Sequence, residues 1–396
     1  MVTRFRTLTH LSALWILIVL AGIATMVTPV AATSIVVNSN SDPGSDDDLC
    51  TLREAIFAAN TNAPHQGCSG GAGTDTITFN STLSGATIHL TNMLIIDSNL
   101  TIDGSALDSP IIISGDNNVL VFYIQTDRTV TLNGLSIQNG QNAFSGGGIF
   151  NKGSLTLLNG LVSNNSSQDG GGIFNGGTLN MTAVILTGNV ANNEGGGIFN
   201  IYSSELGYQG ILNMTDCHLS DNHAILKVGG GINNQEGTLT VTNSTFTANT
   251  ADGGGGIYNT GALSITHSTL TGNDAGYGPG GGIYNNTLLT VTNSEFSANN
   301  ADDGGGIYNF GAVTVTNSTL SANTTHENGG GIFNWGTMTV TNSTLSENIG
   351  EEGGGIKNGG TLTIINSTLS ENKSEAVGGG VGDGGGVYNS GTLNFS

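Results

Sequence analysis

In the stretch "GGGIYNFGAVTVTNSTLSANTTHEN" (304–328), Val313 and Val315 alternate with Thr314 and Thr316. A period of two predicts a β-strand with one face turned inward. Ile307 and Leu320 mark two further inward points, so each unit predicts three short strands joined by Gly and Asn turns. Glycine is too dense, and helix formers too few, for a helical repeat. The opening GGGI(F/Y)N, with close variants, recurs from residues 146, 170, 195, 229, 254, 280, 304, 329, 353 and 384, at intervals of 24 to 34 residues. A regular period of this kind predicts stacked units. The longer intervals hold insertions near 201–210 and 375–383.

Columns taken down the units agree with stacking. The tenth position is apolar in Leu155, Leu179, Leu263, Leu289, Val313, Met338, Leu362 and Leu393. The sixth is Asn in all ten units, and a second Asn column runs from Asn165 to Asn372. Stacked amides can hydrogen-bond from coil to coil and tolerate tight bends. The pattern predicts an all-β parallel β-helix, a solenoid of about 24–25 residues per coil, with parallel pairing between neighbouring coils. The 64 glycines in 396 residues would suggest disorder without this period.

Regular repeats fill 146–396, which ends within a repeat, and shorter strands of less regular coils fill 75–145. Residues 33–74 read as an N-terminal cap, and 1–32 as a signal peptide: Arg4 and Arg6 precede the apolar run 11–27, and small residues follow at Val30 and Ala32. The expected location is secreted or cell-surface. Removing 1–32 leaves six basic against 29 acidic residues, a net charge of −23. Nucleic acid and anionic membrane are therefore poor partners, and the signal segment alone would meet a membrane.

The cap contains "CTLREAI" (50–56). Thr51 and Glu54 have capping-box spacing. Leu52, Ala55, Ile56 and Ala59 then share one helical face, able to cover the apolar end of the first coil while Arg53 points away. In an exported protein, Cys50 and Cys68 are expected to form a disulfide. Cys217 stands where other units have Ser and reads as a buried, unreactive thiol.

CTLREAI, the irregular strands and the GGGIYN coils together resemble bacterial surface proteins with an N-terminal Cys-Ser-Leu-Arg-Glu-Ala motif. That resemblance implies a right-handed parallel β-helix over nearly all of the mature chain; Thr51 replaces the usual Ser. The repeats are also similar to passenger repeats of polymorphic outer-membrane proteins, through "FTAN" (246–249) and "FSAN" (296–299). This implies a surface or adhesive role.

No catalytic constellation is apparent, and no cofactor is required. A lyase acting on acidic polysaccharides would need a concentration of bases that the chain lacks. A glycoside hydrolase needs only two carboxylates, about 5 Å apart in retaining enzymes, and Glu347 and Glu371 occupy equivalent positions of adjacent coils. The expected function is binding or adhesion to carbohydrate or a cell-surface ligand. Candidate ligand residues are the aromatics Tyr258, Tyr284, Tyr308 and Phe333, with Phe310 and Trp335 beside them. Such rings either stack on sugars or form a ladder among themselves. Thr240/Thr242, Ser264/Thr266, Thr290/Thr292, Thr314/Thr316 and Thr339/Thr341 make a grid that admits ice binding as another reading. Acidic turns at Asp302, Asp303, Glu327, Glu351 and Glu352 suggest weak calcium binding. The open last coil suggests end-to-end self-association.

Overall fold

The computed structural model describes residues 34–42, 48–71, 73–375 and 383–396. The expected signal segment lies outside the described residues, as does most of the insertion at 375–383. Ala31–Ser396 form one compact unit. Its described strands order into three sheets, sheet one of 14, sheet two of 13 and sheet three of 12 strands, accompanied by two short strips of three and four. Neighbouring coils pair in parallel throughout these sheets. Antiparallel pairing enters where the 201–210 insertion folds back, with Tyr202 opposite Gln209. This is a parallel β-helix.

The alternation read in the sequence sets the core. Leu239, Leu263, Leu289, Val313, Met338 and Leu362 stand in register on sheet one, and all are buried. Ile257, Ile283, Ile307, Ile332 and Ile356 do the same on sheet two. Phe246, Leu270, Phe296, Leu320 and Leu345 fill sheet three. Each such side chain stabilises the fold by about 1.5–3 kcal/mol relative to exposure.

Hydrogen-bonded ladders hold the corners. In the first Asn column each Nδ2 donates to the next coil's Oδ1 at 2.7–2.9 Å, from Asn151 to Asn389. The second column, Asn165 to Asn372, does so at 2.9–3.0 Å. A third ladder, of serines, was not foreseen. The backbone N–H of each residue in Ser244, Ser268, Ser294, Ser318 and Ser343 donates to the next Ser Oγ at 3.1 Å. Cys217 starts this column, its N–H donating to Ser244 Oγ at 3.0 Å. Its thiol is free and buried, and burial pushes its pKa up.

The glycine triplet has two separate jobs. Gly304 has φ 65°, a left-handed turn. A Cβ on Gly305 would come within 2.6 Å of the Gly330 carbonyl oxygen, so the second glycine lets coils approach.

At the N-terminal end, helix α1 (Leu52–Thr61) packs against β1 (Ser34–Val37), β2 (Asp75–Phe79) and the strand Leu94–Ile96. Its capping box is formed: Thr51 Oγ1 accepts from the Glu54 N–H, and Glu54 accepts from the Thr51 N–H. Leu52, Ala55, Ile56, Ala58 and Ala59 join the core. Cys50 and Cys68 are disulfide-bonded. Arg53 departs from the expectation that it points away. It donates to Asp42 and to the carbonyls of Asn92 and Met93, tying the helix to the first coil. Asn60 adds a second tie, donating to the Ile95 carbonyl and accepting from the Asp97 N–H. Among the described residues, no helix is long and apolar enough to cross a membrane.

Candidate functional site on the aromatic face

Sheet two turns one residue per coil outward, in the regular units the residue between the Ile or Val and the Asn of the GGGI(F/Y)N motif. In order these are Ile95, Tyr123, Phe150, Phe174, Phe199, Asn233, Tyr258, Tyr284, Tyr308, Phe333, Lys357 and Tyr388. The register places ring over ring. Tyr258, Tyr284, Tyr308 and Phe333 stack with centroids 4.6, 5.3 and 4.9 Å apart. Burial pushes the Tyr284 hydroxyl up to about 12 and raises those of Tyr258 and Tyr308 as well. Tyr308 and Phe333 are buried, Tyr308 between two stacked rings and Phe333 between Tyr308 and Lys357, so neither is an open platform.

Phe310 and Trp335 differ. They lie in consecutive coils, 47% and 48% exposed, and pack edge-on against Tyr308 and Phe333. Trp335 lies over Gly359, where a Cβ would meet its ring at 2.3 Å. The six aromatic candidates thus divide into buried or half-buried supports and two exposed rings.

A second aromatic group surrounds Lys152, whose Nζ stands 5.4–5.9 Å from the Tyr123, Phe150 and Tyr208 ring centroids. Its pKa is raised, first by a hydrogen bond with Tyr123. Tyr208, carried in by the 201–210 insertion, also meets Phe174 edge-on at 5.5 Å. Beside this group a groove of about 490 Å³ is lined by Met93, Tyr123, Phe144 and Phe150.

Between the two groups the aromatic column is broken at Asn233. A groove of about 640 Å³ opens there, lined by Glu194, Lys227, Asn233, Glu236, Tyr258 and Asn286 among others. Lys227 Nζ donates to Glu194 Oε1 at 3.1 Å, and Asn233 Nδ2 donates to Glu194 Oε2 at 3.0 Å. Glu194 raises the Lys227 pKa, and burial followed by the Glu194 charge raises that of Asp169 in the preceding coil. Asn233 Oδ1 is buried with no hydrogen-bond partner. An unsatisfied buried acceptor costs about 1–3 kcal/mol. The repeat consensus, aromatic at this position in most units, does not foretell the break. Its signal was the odd unit "GGGINN" at 229–234, which follows the longest interval between repeats.

The acidic turns form two columns rather than one ridge. Backbone hydrogen bonds place Asp302, Glu327 and Glu351 in one column. Asp303, Asn328 and Glu352 form the other, where Asn328 separates the acids and donates to Asp303. Among the described residues, no three His, Cys, Asp or Glu side chains converge to hold a metal ion. Glu347 and Glu371 are exposed, at φ 58° and 57° in outer turns, and neither lines the two grooves described above. The Thr grid is in register on sheet one, with Thr290, Thr314 and Thr339 aligned and Thr292, Thr316 and Thr341 beside them.

The chain matches no known family model and no curated protein sequence.

Proposed function

We propose that the mature chain is a secreted or cell-surface binding protein that engages neutral glycans through the aromatic face of sheet two. The observation that carries this reading is the exposed pair Phe310 and Trp335, held edge-on by a stacked ladder. A rigid, half-exposed aromatic pair offers apolar faces to sugar C–H groups at little entropic cost. The high negative charge disfavours acidic glycans. Adhesion follows when the bound glycan belongs to another cell. Binding is favoured over hydrolysis because Glu347 and Glu371 stand in exposed turns away from any groove described above. The test is titration of the chain lacking residues 1–32 with cello-, manno- and chito-oligosaccharides, with release of reducing ends measured in parallel. Saturable binding without hydrolysis is expected; hydrolysis or the absence of binding overturns the reading.

A second reading rests on the registered Thr grid of sheet one, a flat array suited to ordered water. Inhibition of ice recrystallisation, lost on Thr314→Tyr, would favour it.

A further inference from the structure

Between Tyr123 and Phe333 the aromatic column of sheet two lacks one rung. Its register runs Phe174, Phe199, Asn233, Tyr258, Tyr284. Elsewhere in the column, neighbouring rings stand 4.5–5.6 Å apart. Strands in a sheet are about 4.8 Å apart, so Phe199 and Tyr258 lie roughly two such spacings from each other. That interval takes one ring with a face on either side. Tyr258 stacks on Tyr284 at 4.6 Å, leaving the opposite side of its ring toward the missing rung. The 640 Å³ groove opens at this place.

The polar groups at the break select the kind of ring. Glu194 already receives donors from Lys227 and Asn233. The Lys227 charge is therefore committed, and Glu236 adds a second carboxylate to the lining. An anionic ligand would meet no free cation here. Asn233 is 2% exposed, and its amide orientation is set by donation to Glu194, which leaves Oδ1 as an acceptor without a donor. A ring with an apolar face and a hydroxyl edge answers both features. The face stacks on Tyr258, and a hydroxyl supplies the missing donor. A purely aromatic ligand would satisfy only the first.

We propose that the groove at Asn233 seats one neutral pyranose ring of a glycan against Tyr258, in place of the missing aromatic rung. This rests on the reading of the chain as a glycan-binding protein, and it places specificity at the break rather than at Phe310 and Trp335.

The experiment uses the chain lacking residues 1–32, titrated calorimetrically with cello-, manno- and chito-oligosaccharides. Asn233→Phe fills the rung with a side chain found at equivalent positions of the column. It should keep or raise the melting temperature and weaken binding by about tenfold or more. Asn233→Ala keeps the space but removes the amide, and should weaken binding by about tenfold. It carries the test if the larger side chain does not fold. The double variant Phe310→Ala/Trp335→Ala leaves the break intact. If both Asn233 variants bind as wild type does, the site is overturned; loss in the Phe310/Trp335 variant alone would then leave glycan binding standing with its site elsewhere. If wild-type protein binds none of the three oligosaccharides, the site and the glycan reading fall together.

Discussion

Arg53 grips Asp42 with two prongs, Nε and Nη2 each donating to one carboxylate oxygen at 2.6 and 2.9 Å, and the Asp42 side chain is 1% exposed. The pair fastens the capping helix to the loop over the first coil. Asp42 also accepts from the Thr91 N–H and hydroxyl. Arg53→Ala would leave a buried carboxylate without its counter-ion, a change that costs about 3–5 kcal/mol. Arg53→Lys should recover little, because an ammonium cannot reproduce the fork. Hydrogen exchange is the measurement. Amides of Ser34–Val37 and Asp75–Phe79 should lose protection in Arg53→Ala, while those of the central coils keep theirs.

The Cys50–Cys68 disulfide closes a loop around that helix, with a sequence separation of 18. Loop-closure entropy for a cross-link of this size is worth about 3 kcal/mol. Cys50→Ser/Cys68→Ser should therefore lower the stability of the N-terminal coils by roughly that amount. Limited proteolysis would show it as cleavage near α1 before the repeats are cut.

Features set by short spacing were legible in the sequence, and those set by convergence of distant segments were not. The inward columns through Val313 and Ile307 follow from a period of two and a repeat of fixed length. Thr51 and Glu54 are three residues apart, so their reciprocal bonds follow from helix geometry. Arg53 and Asp42 have no such relation; the loop carrying Asp42 has no pattern to place it. The two columns of acidic turns are set by spacing as well: Asp302, Glu327 and Glu351 each stand two residues before a Gly triplet, and Asp303, Asn328 and Glu352 one residue before it, so pooling the two positions made them one ridge. The exposure of Phe310 and Trp335 beside buried Tyr308 and Phe333 depended on ring stacking across coils, which one unit read alone does not contain.

The Asn ladder predicts where the array splits. Asn309 accepts from Asn285 at 2.9 Å and donates to Asn334 at 2.8 Å, in a buried corner. Asn309→Ala leaves the Asn334 Oδ1 acceptor and the Gly311 N–H without partners and takes from Asn285 Nδ2 one of its two acceptors, a loss of about 2–6 kcal/mol. Stacked repeats are stabilised by nearest-neighbour interfaces, so a weak interface uncouples the two sides. Calorimetry of this variant should show two transitions where the wild type shows fewer.

Trp335 provides an internal reporter. The other tryptophan, Trp15, lies in the expected signal segment, so the chain lacking residues 1–32 carries Trp335 alone. Gly359→Ala would drive a methyl into its ring and lift the indole off the coil. Emission should shift to the red, with a stability loss of about 1 kcal/mol. An unshifted spectrum would mean that the ring does not rest on Gly359.

Stability at the acidic turns should respond to both pH and calcium. Asp302 first, then Asp303, raises the Glu327 pKa above its ordinary 4.5, with burial and Glu351 adding to the shift. Burial chiefly raises Asp303 above 3.8, against hydrogen bonds from Asn328 that lower it. A carboxyl with a raised folded pKa binds its proton more tightly in the native state. Its contribution is full below the unfolded value and is lost as pH rises through the folded one. Stability from this region should therefore increase on acidification through the window just above pH 4.5 for Glu327 and just above pH 3.8 for Asp303. Asp116 acts oppositely, but lower. Ser114 and His89 hold its pKa below 3.8, so its contribution is lost only beneath that pH. Glu327→Gln should flatten the upper window and slightly raise the melting temperature at neutral pH. Calcium offers a second means of relieving the same repulsion, since it accepts carboxylate oxygens in flexible geometry. Millimolar calcium should raise the wild-type midpoint more than magnesium or matched ionic strength does, and that excess should vanish in Glu327→Gln. If calcium acts only as the salt control does, the carboxylates of Asp302, Glu327 and Glu351 are screened by bulk ions and bind none of them specifically.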